Sequence, residues 1–267
     1  MTESKGHLNP GDDGVCFDRF PLGSDLDALV RHVWVVRWDL PVGRVRPQRV
    51  LTYPVCNAVI TPEECSLHGP QQRVFVRELS GTSWAVGVLL RPAAARVLTD
   101  TPSDLLPGHS EPLPGAPWER IARAMAEPGL FRESVTVALR SWLLPLMVRI
   151  DDAGLLVNEA CRLAEEEADV VEVADLARRL DVPRRSLGRL VKEHTGLTPK
   201  WLIECRRLQE AATILYRAPA TDLAGLAGDL GYADQAHFTR RYHRVLGETP
   251  DRTRRAGREA QRKIPLR

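Results

Sequence analysis

No apolar run in the chain is long enough to cross a bilayer. The longest, Trp142–Val148 and Trp84–Leu90, are seven residues each, against the roughly 20 that a spanning helix needs. The opening MTESKGHLNPGDDG has no apolar core of the kind that marks an export signal, so neither secretion nor a membrane partner is expected. Cysteine is sparse and irregular, at positions 16, 56, 65, 161 and 205. That pattern predicts reduced thiols in a cytoplasmic protein rather than a disulfide framework. HExxH, GxSxG, P-loop and GxGxxG motifs are absent, and with them the commonest sequence signs of a zinc protease, an α/β hydrolase or a nucleotide-dependent enzyme. Lysine is nearly absent too: four of the 37 basic residues are Lys5, Lys192, Lys200 and Lys263, and the others are arginine.

What is present is ordinary globular material. With 267 residues, 43% apolar and 27% charged, the chain is neither disordered nor fibrous, and its length suits two domains. The net charge of +2 conceals an asymmetry. Residues 171–267 hold 20 Lys and Arg against 12 Asp and Glu, a net of +8, while residues 1–170 carry 17 against 23, a net of −6. A basic C-terminal part beside an acidic N-terminal one points to an anionic polymer as partner for the former; a plain solvated basic surface explains the same charge.

The overall class predicted is α+β: a β-rich N-terminal domain, a helical connector, then an all-α C-terminal domain. Residues 1–16 are polar and read as a flexible arm. From 17 to 115, runs such as HVWVVRW (32–38), NAVIT (57–61), RVFVREL (73–79) and WAVGVLL (84–90) alternate with turn residues and predict an antiparallel β domain. Helix is expected to begin at Pro92. The proline-rich stretch 101–117 reads as a rigid surface loop. In the connector, 116–168, Val135, Leu139, Trp142, Leu143, Leu146 and Ile150 form one apolar stripe, with Pro145 placed to kink or split the helix. The stripe suits either packing on the β domain or dimerisation. Residues 159–169, with five acids, read as a solvated helix.

The C-terminal part contains a structural repeat. VADLARRLDVPRRSLGRLVKEHTG (173–196) and LAGLAGDLGYADQAHFTRRYHRVLG (223–247) each read as a short helix, a tight turn and a second helix. Leu176, Ala177, Leu180, Leu187, Leu190 and Val191 supply the core of the first; Leu223, Leu226, Ala227, Leu230, Phe238, Tyr242 and Leu246 that of the second. Gly231 suits the turn, Asp234 an N-cap, and Gly196 and Gly247 the helix ends. Off the apolar stripes lie Arg184, Arg185, Arg189 and Lys192 in one unit, and Gln235, His237, Thr239, Arg240, Arg241 and Arg244 in the other. A helix fits the major groove, where Arg and Gln read base edges. Between the units, Thr198 and Pro199 should start a helix running to about Tyr216, roughly 27 Å long. A rod of that length can set two recognition helices about one turn of DNA apart.

The stretch ADLARRL…SLGRLVKEHTGLTPKWLIECRRLQEA followed by LAGLAGDLGYADQAHFTRRYHRVLGETP resembles the DNA-binding domain of AraC/XylS transcription regulators over about 170–254. The resemblance implies seven helices, two helix-turn-helix units and double-stranded DNA as partner. It implies base reading by Arg185 and Arg189 in the first unit and by Gln235, His237 and Arg240 in the second. Gly188 and Pro183 depart from the family pattern, which usually has a polar DNA-facing side chain and a Ser or Thr cap there. Arg244, Arg252, Arg254 and Arg255 are read as touching either phosphate or only solvent, His194 as a helix-end residue, and the basic tail from 257 to 267 as unstructured.

WAVGVLLRPAAARVLTDTPSDLLPGHSEPL (84–113) resembles an N-terminal domain found ahead of such modules in bacterial regulators. It implies a role in sensing or dimerisation, with an unidentified small-molecule effector, a homodimer and RNA polymerase as candidate partners. Trp34, Trp38, Tyr53 and Trp84 are the candidate pocket, with simple core packing as the alternative for each. Cys56, Cys65 and His68 are weak metal or thiol-sensor candidates, because no CxxC and no fourth ligand stand nearby; the expectation is no metal and no cofactor. The function expected is that of a non-enzymatic, sequence-specific transcription regulator. The alternative is the same DNA-binding module fused to a methyl-accepting repair domain or a metal- or thiol-sensing one.

Overall fold

The computed structural model describes residues 14–50, 55–127, 129 and 131–262. The N-terminal half contains a six-stranded antiparallel sheet built from β1 (Val15–Phe20), β2 (Val30–Asp39), β4 (Asn57–Ile60), β5 (Cys65–His68), β7 (Thr82–Leu90) and β8 (Ser110–Pro112), in the order β1-β2-β7-β4-β5-β8. Two further strands, β3 (Val45–Val50) and β6 (Phe75–Ser80), pair with each other as a separate antiparallel ribbon. Strand β1 begins inside the stretch expected to be an arm: Val15 and Cys16 already pair with Trp38 and Arg37.

The period-2 pattern of the strands decides which face is inside. Val33 and Val35 of β2, Val86 and Val88 of β7, and Ala58 and Ile60 of β4 all point to one face and are fully buried. That face is covered by α2 (Trp118–Ala126) and α3 (Phe131–Leu143), through Ile121, Val135, Leu139 and Leu143. The apolar stripe of the connector is therefore core packing for the sheet. Pro145 acts as expected: the α-helix stops at Leu143 and the chain continues as a 3₁₀ turn over Leu144–Arg149. The helix beginning near Pro92 is short, a 3₁₀ turn followed by α1 (Ala95–Leu98).

The other helices are α4 (Asp152–Glu166), α5 (Val173–Arg179), α6 (Arg184–Thr195), α7 (Pro199–Arg217), α8 (Leu223–Asp229), α9 (Gln235–Leu246) and α10 (Pro250–Arg262). They form two cores with one shared rod. Leu202 and Ile203 of α7 join Leu176, Leu187 and Val191 of the first unit. Leu208, Ala211 and Leu215 of the same helix join Leu226, Phe238 and Tyr242 of the second. Helix α4 is not the solvated spacer that the five acids of residues 159–169 suggested: Val157, Ala160, Leu163 and Ala164 are buried in the first unit's core. Of its acids, Glu159 and Glu166 pair with Arg162 on the more exposed side. Counting α4, seven helices make up the C-terminal part among the described residues.

The tail also differs from expectation. Residues 250–262 are helical and docked. Thr253 Oγ1 lies 2.7 Å from Tyr242 Oη, and Gln261 Nε2 donates to Arg217 O at 2.9 Å. Residues 263–267 lie outside the described residues.

Candidate nucleic-acid interface

Each helix-turn-helix unit has the same backbone skeleton. In the first, Asp181 takes the left-handed conformation (φ 51°) and Val182 N–H donates to Ala177 O at 3.0 Å. In the second, Gly231 takes it (φ 72°) and Tyr232 N–H donates to Ala227 O at 2.9 Å. The left-handed residue closes the first helix and redirects the chain, and an apolar residue follows it into the core. Both recognition helices, α6 and α9, are 12 residues long and end on a left-handed glycine, Gly196 and Gly247.

The starts of these helices differ. Asp234 Oδ1 accepts from His237 N–H at 2.6 Å, a side-chain N-cap for α9. Pro183, before α6, offers no such bond. Arg184 and Arg185 stand in the first turn of α6, which has no acidic residue. Their charges lie at the positive end of the helix dipole. That placement is unfavourable in the free protein and is relieved by an approaching phosphate.

On α6, Leu187 and Val191 are fully buried while Arg184, Arg185, Arg189 and Lys192 are exposed. On α9, Phe238 and Tyr242 are fully buried while Gln235, His237, Arg240 and Arg244 are exposed and Thr239 is half-buried. Arg184, Arg185, Arg240 and Arg244 make no ion pair among the described residues, and Arg189 reaches only Glu193, 3.8 Å away on its own helix. Three other residues are spoken for. Arg241 pairs with Glu204 of α7, and that carboxylate's hydrogen bonds raise the guanidinium pKa above its usual value. Arg254 donates to Pro219 O at 2.7 Å and to Asp251. His194 is buried, with Nδ1 3.0 Å from Leu190 O. Arg252, beside Glu248, and Arg255 remain exposed.

The N-terminal half touches both units. Ser103 Oγ donates to Lys192 O at 3.2 Å, near the end of α6. Val74 N–H donates to Val245 O at 3.0 Å, near the end of α9, and its side chain packs on the second unit's core. Arg31 of β2 pairs with Glu165 of α4. The proline-rich loop thus serves as a contact surface for α6.

The candidate aromatic pocket does not assemble as one wall. Register places Trp34 opposite Gly87 and Trp38 opposite Ser83, whereas Trp84 stands opposite Arg37 on the other face. Trp34 lies directly on Gly87, where a Cβ would come within 1.9 Å of the indole, and its Nε1 donates to Asn57 Oδ1 at 3.2 Å. Trp38 Nε1 donates to Ser80 O at 3.0 Å. Tyr53 lies outside the described residues. Trp38 and Trp84 both line an open cleft of about 680 Å³, together with Arg37, Glu63 and Met125. Arg37 escaped the sequence reading; its signal was a lone cation in phase with the inward Val33 and Val35.

The metal candidates are dispersed. Cys65 packs into the sheet core, while His68 points to the opposite face, its Nε2 2.9 Å from Ser66 Oγ. No group of three or more His, Cys, Asp or Glu able to hold a metal occurs among the described residues. Burial pushes the thiols of Cys56, Cys161 and Cys205 up to about 12, leaving them protonated and poorly nucleophilic. Burial also raises the Cys65 thiol above its usual value.

Two family models match this chain. Residues 176–256 match a helix-turn-helix domain, and residues 19–112 match a domain of unknown function (DUF6597). The HTH-type transcriptional activator RhaS of Escherichia fergusonii is 35% identical over 98 residues, covering 37% of this chain and 34% of that protein. RhaS of Yersinia pestis (strain Pestoides F) is 32% identical over 102 residues, covering 38% and 36%. The match thus spans about a third of the length of these curated relatives. Among solved structures, the DNA-binding domain of AdpA in complex with a target DNA is 27% identical, covering 43% of this chain and 99% of that one, with a TM-score of 0.31. A regulator with an AraC-type DNA-binding domain from Chromobacterium violaceum is 28% identical, covering 42% and 96%, with a TM-score of 0.34.

The C-terminal part is a double helix-turn-helix, DNA-binding domain. Its type is that of AraC regulators, preceded in the chain by a β-rich domain of the DUF6597 type.

Proposed function

We propose that the protein is a non-enzymatic, sequence-specific transcription regulator that binds double-stranded DNA by inserting α6 and α9 into successive major grooves. The observation that carries this is the pairing of two equivalent helices, each with a buried apolar side and an exposed cationic side, on one shared rod of 19 residues, about 28 Å long. Arg185 and Arg189 read bases from α6. Gln235, His237 and Arg240, with Thr239 beside them, read from α9. Arg184, Lys192 and Arg244 neutralise phosphates.

The N-terminal half acts as the sensing domain in this reading. It holds a carbonyl near the end of each recognition helix, so a shift in the sheet or its loops changes both reading heads together. The cleft at Arg37, Trp38 and Trp84 offers a guanidinium beside aromatic surface for a small effector. A dimerising role has its own observation: Val137, Leu144 and Val148 of the connector are exposed apolar residues, with Val148 88% exposed. Light scattering at micromolar concentration separates the two, since a strict monomer removes dimerisation.

The test of the main reading is selection of bound sequences from a random duplex library by the full-length protein, repeated across salt concentrations. Enrichment of two submotifs about one helical turn apart is expected. Binding that is only salt-dependent, with no enriched motif, would overturn base reading by these helices.

A further inference from the structure

The N-terminal half is acidic as a whole, yet the β3–β6 ribbon is not. Across residues 44–50 and 71–80 stand Arg44, Arg46, Arg49, Arg73 and Arg77, against the single acid Glu78. The net charge of this segment is +4 within a half whose net is −6. Arg44, Arg73 and Arg77 are exposed and make no ion pair among the described residues. Like charges at this density repel one another, and an anionic partner relieves that repulsion.

The ribbon's position gives this charge a use. Val74, which directly precedes β6, donates its N–H to Val245 O of α9 at 3.0 Å. Arg73 and Arg244 therefore flank the two ends of a single backbone hydrogen bond, and both are exposed. The exposed side of α9 that carries Arg240 and Arg244 thus ends beside the start of the ribbon. A strand of six residues at about 3.3 Å each is about 20 Å long, the axial length of roughly six base pairs.

We infer that the β3–β6 ribbon is a further DNA-contacting element, holding the phosphate backbone beside the groove that α9 enters. It rests on the reading of α9 as a recognition helix. The contacts are to phosphate rather than to bases. Arginines at a strand pair anchored near the end of α9, away from its base-reading first turns, meet the flank of the site. Such contacts add affinity and salt dependence without sequence preference.

The test compares two full-length variants with equal loss of charge. One carries Arg73→Gln and Arg77→Gln on the ribbon; the control carries Arg120→Gln and Arg123→Gln on α2. Affinity for the selected duplex and for random DNA is measured across salt. The ribbon variant should weaken binding about tenfold at low salt on both duplexes, and lower the slope of log affinity against log salt by about 2. The control should leave the slope unchanged. Shortening the duplex on the α9 side should erase the difference between wild type and ribbon variant. An unchanged slope in the ribbon variant, or an equal fall in the control, would overturn the inference. Arg240→Ala run alongside keeps the two readings apart: it should discriminate selected from random DNA, which the ribbon variant should not. If Arg240→Ala shows no discrimination while the ribbon slope still falls, base reading fails and the ribbon contact stands.

Discussion

In the second helix-turn-helix unit the turn residue is Gly231, the recognition helix is capped by Asp234, and no glycine interrupts α9. In the first unit the turn residue is Asp181, the cap position is held by Pro183 without a side-chain bond, and Gly188 sits mid-helix. The backbone path is the same, but the local sequence favours it in one unit and opposes it in the other. What compensates the first unit is packing from outside it. Helix α4 contributes Val157, Ala160, Leu163 and Ala164 to its core, and the 101–109 loop bonds the end of α6. The second unit instead carries three aromatics of its own, with Tyr232, Phe238 and Tyr242 in steeply inclined ring contacts at centroid distances of 5.3 and 5.5 Å. The second unit thus carries an aromatic core of its own, and the first draws on the small and apolar residues of α4.

The comparison is broken most directly in the two cores. Phe238→Ala should cost about 3–5 kcal/mol and Leu187→Ala about 2–5 kcal/mol, since both side chains are fully buried. Urea unfolding monitored by circular dichroism checks both. A Leu187→Ala variant with an unchanged midpoint would mean that α6 is rotated about its axis, with Leu187 turned away from the core. At the DNA face, Arg240→Ala should lose about 1–3 kcal/mol on the selected site and relax base choice at one position. Arg189→Ala should lose less, because Arg189 shares its charge with Glu193 and sits on the helix without a cap. Competition binding against random duplex separates base contacts from phosphate contacts in both variants. The caps come next: Asp234→Ala should destabilise by about 1 kcal/mol, while Pro183→Ala removes no capping bond and should cost less.

How much of this was legible in the sequence differed between the halves for physical reasons. The two units were readable because helical period, cap and turn signals all agree on short segments such as Leu187–Val191 and Phe238–Tyr242. Strands β2, β4, β6 and β7 were readable from their Val-, Ile- and Trp-rich runs. Strand β3 was not, because Pro47 and its neighbouring arginines read as loop, and a proline is tolerated there only since the pair stands apart as a ribbon. Helix α4 misleads because its acids are conspicuous while its burial depends on small residues, Ala160 and Ala164, that carry little pattern. The placement of the candidate pocket's aromatics was illegible for a different reason. Trp34 and Trp38 do share a face, as their spacing requires, but only the strand register shows Trp84 on the other one. Contacts between the halves, such as Val74 to Val245, join residues far apart in sequence and leave no local signal.

Smaller changes sharpen the contrast between the units. Gly188→Ala should stabilise the protein by about 1 kcal/mol, since a Cβ there meets no atom within 4 Å and the residue is not in the left-handed region. A higher melting temperature with unchanged DNA affinity is expected; reduced affinity would show that this face of α6 needs the glycine for close approach to the groove.

The finest comparison is at the turns. Asp181 occupies a left-handed position that most side-chain-bearing residues avoid by about 1–2 kcal/mol, although aspartate tolerates it better than most. Asp181→Gly removes that strain but also lets the unfolded chain gain freedom, an opposing effect of about 0.4–1 kcal/mol. The two nearly cancel, so the variant should shift the urea midpoint by less than about 0.5 kcal/mol in free energy. The reverse change, Gly231→Asp, carries the same two effects with their signs exchanged, and adds a close contact: a Cβ at that position comes within 3.3 Å of the Arg207 guanidinium. A clear loss of stability from Gly231→Asp beside a near-neutral Asp181→Gly would show that the first unit's turn has been accommodated by its surroundings. Equal and opposite effects would instead show that each turn is governed by its own residue alone.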